Sequence, residues 1–147
     1  NDLSVLGGVH VLTSLPNEPY LKYAFFCRGT DEGSEGELIL HDVVDLIDLP
    51  ELPESAETAP IVRKHEELHL VYCIVDATPG PHSLIVAINA PGIRLELPPS
   101  PDIEVGDGIK FYRGIKPFSI PIQEEGWHVA RILLDGTPLG EGSFLVR

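Results

Sequence analysis

The sequence predicts an all-β chain, a two-sheet antiparallel β-sandwich of immunoglobulin-like type with about eight to ten short strands. Three observations point there. Apolar residues recur mainly at every second position, and no segment keeps a helical period. Turn signals interrupt the apolar runs at short, regular spacing. Fourteen glycines and 14 prolines in 147 residues are too many for a helical bundle. Each one-faced sheet must bury its apolar side, so two sheets are expected to pack together.

The elements follow in order. Residues 1–19 read as an N-terminal arm or extra strand, because Val9, Val11 and Thr13 alternate before Pro16 and Pro19. The sandwich is expected over 20–147, with residues 20–28 (YLKYAFFCR) as its first strand and Tyr20, Tyr23, Phe25 and Phe26 in the core. An acidic glycine loop, 29–36, precedes the run 37–47, where Leu38, Leu40 and Val44 face a core if a bulge near His41 and Asp42 corrects the phase. The stretch 48–60 (DLPELPESAETAP) has no period and reads as an exposed loop.

Strand signals then come quickly: 66–77, the turn at 78–81, 82–89, the Pro91-Gly92 turn and 93–97. Runs at 109–113 and 116–122 follow, the second placing Phe118, Ile120 and Ile122 on one face. Trp127, Val129, Arg131 and Leu133 alternate with His128, Ala130, Ile132 and Leu134. Asp135-Gly136 supplies a type I′ hairpin turn, and strands at 137–139 and 143–146 close the chain.

Composition bounds the function. Hydrophobic residues make up 43% of the chain, which places it among folded domains. Twenty-three acids against 10 bases give a formal net charge of −13. That field repels phosphate backbones and anionic lipid, so the expected partners include neither nucleic acid nor a membrane. No apolar run approaches the roughly 20 residues of a membrane-spanning helix. The chain starts Asn1-Asp2 and contains no methionine, so it reads as trimmed, processed or part of something longer. It shows no intact secretory signal, and its compartment stays open with a lean to the cytoplasm.

The sharpest motif is His65-Glu66-Glu67-Leu68-His69, an H-E-x-x-H match. On a helix, His65 and His69 would share a face and hold zinc while Glu66 activates water, the chemistry of a zinc-dependent hydrolase. The motif runs into LVYCIV, however, which favours a strand. In a strand, His65 and His69 point the same way about 13 Å apart, and Glu66 points the other way. Tyr72 and Val75 stand where the longer zinc motif needs Gly and a third His. Glu96 is a remote third ligand at best. No catalytic, metal or cofactor assignment is expected from this segment.

Two acidic groups, Asp31, Glu32 and Glu35 and then Asp102, Glu104 and Asp107, lack an EF-hand register and read as solvated loops. His82 and His128 lie beside turn glycines and read as exposed or satisfied edge residues. No nucleophile elbow, phosphate cradle or Cys/His metal spacing is present, and no exposed aromatic ladder is expected. Cys27 and Cys73 each sit inside an apolar run. They read either as an inter-sheet disulfide or as two buried thiols, the second favoured because Trp127 lies outside the interval between them.

From Tyr20 onward the chain resembles a group of small bacterial proteins of unknown function with a β-sandwich fold. The resemblance rests on AFFC at 24–27, GELIL at 36–40, Leu49-Pro50, Leu52-Pro53, GPHSLIVAI at 80–88, EEGWHVARILLDG at 124–136 and FLV at 144–146. It implies a sandwich and supplies no activity.

The function expected from these readings is a non-catalytic interaction or assembly module. It would contact a protein partner or a second copy through its edge strands and the arm. The alternatives are the zinc hydrolase of the HEELH segment and an extracellular ligand-binding module with a Cys27–Cys73 bridge.

Overall fold

A computed structural model describes residues 18–51, 62–96 and 103–147. Residues 1–17 of the arm read at 1–19, most of the loop at 48–60 and Asp102 lie outside the described residues. Those that are described form an all-β structure of eleven strands with no helix, so none is long and apolar enough to cross a membrane.

The strands are β1 (Tyr20–Glu32), β2 (Leu38–Val43), β3 (Leu46–Ile47), β4 (Lys64–Val75), β5 (Gly80–His82), β6 (Leu84–Ala90), β7 (Ile93–Glu96), β8 (Ile103–Val105), β9 (Phe111–Ile122), β10 (Gly126–Leu134) and β11 (Thr137–Val146). They make a four-stranded sheet in the order β2-β1-β4-β9, a five-stranded sheet in the order β3-β11-β10-β6-β7, and a two-stranded β5-β8 sheet. Pairing is antiparallel except between β3 and β11.

One apolar core joins both larger sheets. Phe26, Leu68, Leu70, Tyr72, Ile74, Phe118, Ile120 and Ile122 come from the first, and Val86, Ile88, Ala130, Ile132, Leu134, Phe144 and Val146 from the second. These positions alternate along each strand, as a sheet buried on one face requires. Where the strands cross closely, side chains shrink. A Cβ on Gly142 would lie 3.1 Å from the Ala24 carbonyl oxygen, so β11 and β1 approach through a missing side chain.

Several expectations change. Residues 29–32 continue β1 instead of forming a loop. The turn is confined to Gly33–Glu37, where the Gly33 N–H donates to the Glu37 carbonyl at 2.8 Å. The runs at 109–113 and 116–122 fuse into β9, and 137–146 is a single strand. The bulge expected near His41 and Asp42 is not formed: the β1–β2 register runs unshifted from Glu32 opposite Leu38 to Cys27 opposite Val43, with Asp42 left-handed at φ +53°. Asp135 (φ +50°) and Gly136 (φ +83°) make the hairpin turn read from the sequence.

The aromatic cluster of β1 is the largest correction. Of Tyr20, Tyr23, Phe25 and Phe26, only Phe26 enters the core; Tyr20 and Phe25 are exposed. Phe25 and Tyr23 face away from the core by alternation with the buried Phe26. A shift in register between Leu21 and Tyr23 adds Tyr20 to the same face.

Candidate functional site

The face of the four-stranded sheet turned away from the core is built in rows. Strand pairing places Tyr20, Val75 and Phe111 in one row, Tyr23, Cys73 and Arg113 in the next, then Phe25, Val71 and Ile115, then Cys27, His69 and Pro117. Residues directly opposite one another share a face, so these twelve side chains form one surface. Its central strip is packed under its neighbours, with Val71, Cys73 and Cys27 all buried. Its flanks are open: Phe25 is 42% exposed, Ile115 45% and Phe111 55%. Exposed large apolar side chains on β1 and β9, flanking a buried apolar strip on β4, are the kind of surface that binds something.

The aromatic rings there are ordered. Tyr23 stacks on Phe25 with centroids 5.6 Å apart and planes 21° apart. Burial raises the Tyr23 phenol above its ordinary pKa, helped by Cys73, while a hydrogen bond and the charge of Arg113 pull the other way. Arg113 thus reaches across Cys73 to Tyr23. Beside it the β1–β2 hairpin leaves an open groove of about 270 Å³ lined by Thr30, Asp31, Glu32, Leu38, Arg113 and Ile115. Two acids in that groove make it unsuited to anions. At the far end His41 Nε2 lies 2.6 Å from Asp31 Oδ2, and the buried Nδ1 of His69 has no hydrogen-bond partner.

β9 is one of the two edges of this sheet, the other being β2, and it carries Pro117 and Pro121. Proline has no N–H to offer an added strand, which blunts the edge.

The HEELH residues are divided by the sheet. All five lie in β4. Glu66 turns toward the core side and is 2% exposed, whereas His65 and Glu67 are exposed on the other side. Arg28 Nη1 donates to Glu66 Oε1 at 2.5 Å, and Lys64 Nζ lies 3.1 Å from Oε2. Burial works to raise the Glu66 carboxyl, but Arg28 and Lys64 outweigh it and hold the group below its ordinary value. It is a paired structural anion, with no path to a water held by the histidines. Glu96 lies in β7, in the other large sheet. Among the described residues no three His, Cys, Asp or Glu side chains gather around a metal position.

Both cysteines are free thiols. Cys27 faces His69, and Cys73 is four residues further along β4, about 13 Å away at strand rise. A disulfide needs Cα atoms within about 7 Å, so the bridged module is ruled out. His128 is buried, stacked on Phe144 at 5.0 Å, with Nδ1 donating to the Gly126 carbonyl at 3.0 Å. Trp127 is 59% exposed on the outward face of the five-stranded sheet, in a row with Leu145 and Leu46.

No family model matches the chain, and no curated protein matches it. Among solved structures it is similar to Pseudomonas fluorescens alkylpurine DNA glycosylase AlkC bound to DNA containing an abasic site analog. The identity is 17% and the TM-score 0.47, over 88% of this chain and 30% of that one. A likeness of that size transfers no activity.

It does correct two expectations, the exclusion of nucleic acid and the reading as a non-catalytic interaction or assembly module, because the similar chain is an enzyme on DNA. The exclusion also failed physically. Net charge is a sum over the whole surface, whereas contact is decided by the local face. On the rows of the four-stranded sheet Arg113 stands among aromatic and apolar groups, an arrangement set by the pairing of β1, β4 and β9 across the sequence.

Proposed function

We propose that the chain is a β-sandwich of immunoglobulin-like type whose four-stranded sheet binds single-stranded nucleic acid by stacking. Unpaired bases would lie on Phe25, Tyr23 and Phe111, with Arg113 as the cation beside them. The observation that carries this reading is the solvent exposure of aromatic rings from β1 and β9 on one face around Arg113. Stacking of a base on an aromatic side chain contributes about 1–3 kcal/mol and tolerates any sequence. A buried strip of Val71 and Cys73 holds the flanking rings apart at the spacing of the strands.

The net charge of −13 sets the character of such binding. Phosphates gain little from one arginine and are repelled by the rest of the surface. Affinity is therefore modest and carried by the bases. Salt screens the repulsion as much as it weakens the Arg113 contact, so the dependence on salt is shallow.

The test is fluorescence anisotropy of a labelled short oligothymidine over a salt series, with the paired duplex alongside. Expected are saturable binding of the single strand over the duplex, a shallow salt slope, and losses of roughly 5- to 150-fold for Phe25→Ala or Phe111→Ala. Trp127, the sole tryptophan, faces away on the other sheet, so its emission stays unchanged on binding. No binding at any salt, or affinity equal in Phe25→Ala, would overturn the reading.

A further inference from the structure

His82 ends β5 and is 8% exposed. Its Nδ1 lies 2.6 Å from Asp135 Oδ2 and its Nε2 lies 2.6 Å from the Thr78 carbonyl oxygen, with Thr78 Oγ1 at 3.4 Å. A carboxylate and a carbonyl can only accept. Both ring nitrogens must therefore donate, and only the imidazolium does so.

The acceptor is itself fixed. Asp135 sits left-handed in the β10–β11 turn; its N–H donates to the Ser83 carbonyl at 2.8 Å, and its Oδ1 accepts the Ser83 N–H at 2.8 Å. The charged groups acting on the ring are Asp135 from that turn and Glu104 from β8, opposite Pro81.

We propose that His82 is a proton-operated latch: as an imidazolium it fastens β5 and the loop before it to the β10–β11 turn, and loss of its proton releases them. A neutral ring has one N–H and can serve only one of the two acceptors, leaving the other against a bare lone pair. The remaining restraints lie at the ends of the segment: the two Ser83–Asp135 hydrogen bonds after it, and the Asp76 N–H donating to the Lys110 carbonyl at 3.0 Å before it. β5 and β8 are three-residue strands that pair with each other and with neither larger sheet. Ala77, Ile103 and Val105 are buried there, so release opens that end of the core to water.

The electrostatics agree in sign. The hydrogen bond to Asp135, then the Thr78 carbonyl, raise the His82 pKa above its ordinary value against the effect of burial. A raised folded pKa means the latch is fully fastened below the ordinary histidine range and loosens as pH rises through the shifted value.

The experiment follows both imidazole nitrogens of His82 by nitrogen-15 NMR across pH on the full chain. Amide exchange of residues 76–83 and 103–105, corrected for intrinsic rate, is measured alongside. Expected are a titration above the ordinary histidine value and two protonated nitrogens in the closed state. Protection should fall tenfold per pH unit between the open-state and closed-state pKa values, then level off. Residues 129–133 keep their protection. In Asp135→Asn the midpoint moves down, and in His82→Gln the pH dependence at 76–83 is lost. A His82 that titrates at or below the ordinary value overturns the latch, and the wild-type chain alone decides that. Protection at 76–83 that stays constant while His82 titrates overturns it as well.

Discussion

Phe26 meets Phe144 edge to face across the core, ring centroids 5.1 Å apart and planes at 87°, while the adjacent Phe25 points the other way into solvent. One peptide bond separates the residue that joins the sheets from one that is open to a ligand. Phe26→Ala is expected to cost about 3–5 kcal/mol through a cavity that close neighbours cannot fill. Phe25→Ala should cost less than about 1 kcal/mol. Urea denaturation of the two variants, checked for equal m-values, measures the contrast; equal losses would place both rings in the core.

Glu66 holds Arg28 and Lys64 at the core edge, and its lowered pKa makes it a source of stability above the ordinary carboxylate range. That contribution is lost as pH falls through the folded pKa. Glu66→Gln should destabilise by about 2 kcal/mol at neutral pH, discounted because Arg28 and Lys64 remain partly in water. The same variant should show a flatter loss of stability below about pH 4. A Glu66→Gln chain as stable as the parent would make the pair a surface ornament.

His128 has the opposite habit to His82. Desolvation holds its pKa below the ordinary value, against a hydrogen bond to Gly126. Its neutral form fits the core, so stability is present above about pH 6.5 and is lost as pH falls through the lowered folded value. Thermal melts in mild acid should show this loss in the parent chain and not in His128→Gln. That variant will be less stable throughout for want of the Phe144 contact.

The cysteines allow a direct chemical check. Two thiols should react after denaturation without reductant, and both should react slowly in the native chain, where they are buried. Burial also raises the Cys27 pKa, keeping it as the unreactive thiol. Since the HEELH side chains diverge, a chelator should leave the melting temperature unchanged. A chelator-induced drop would require a metal bound through other groups.

Gly114 faces Tyr72 on β4, and an added Cβ would fall 2.1 Å from the Tyr72 ring. Because Tyr72 is buried, its phenol pushed up to about 12 chiefly by desolvation, the ring has nowhere to move. Gly114→Val should therefore destabilise by about 1–3 kcal/mol through overpacking. Pairing it with Tyr72→Leu should recover part of the loss, which a double-mutant cycle would read as a favourable coupling.

Alternation carried most of what the chain discloses about itself. The period of two at 127–134, the Asp135-Gly136 turn and the face of Phe118, Ile120 and Ile122 specify strands and their buried sides through local sterics and hydrophobicity alone. The strand character of 65–69 was equally legible from LVYCIV. Three things were not. The bulge at Leu21–Tyr23 arises in the pairing of β1 with β4, and it brings Tyr20 onto the outward face that Tyr23 and Phe25 already occupy. The Arg28–Glu66 contact joins residues 38 apart, and the His82–Asp135 contact joins residues 53 apart. A sequence can state that a side chain is charged or aromatic. Which face it occupies and which charge it meets are decided only when distant strands come into register, because a shift of one residue moves a side chain from the core to water.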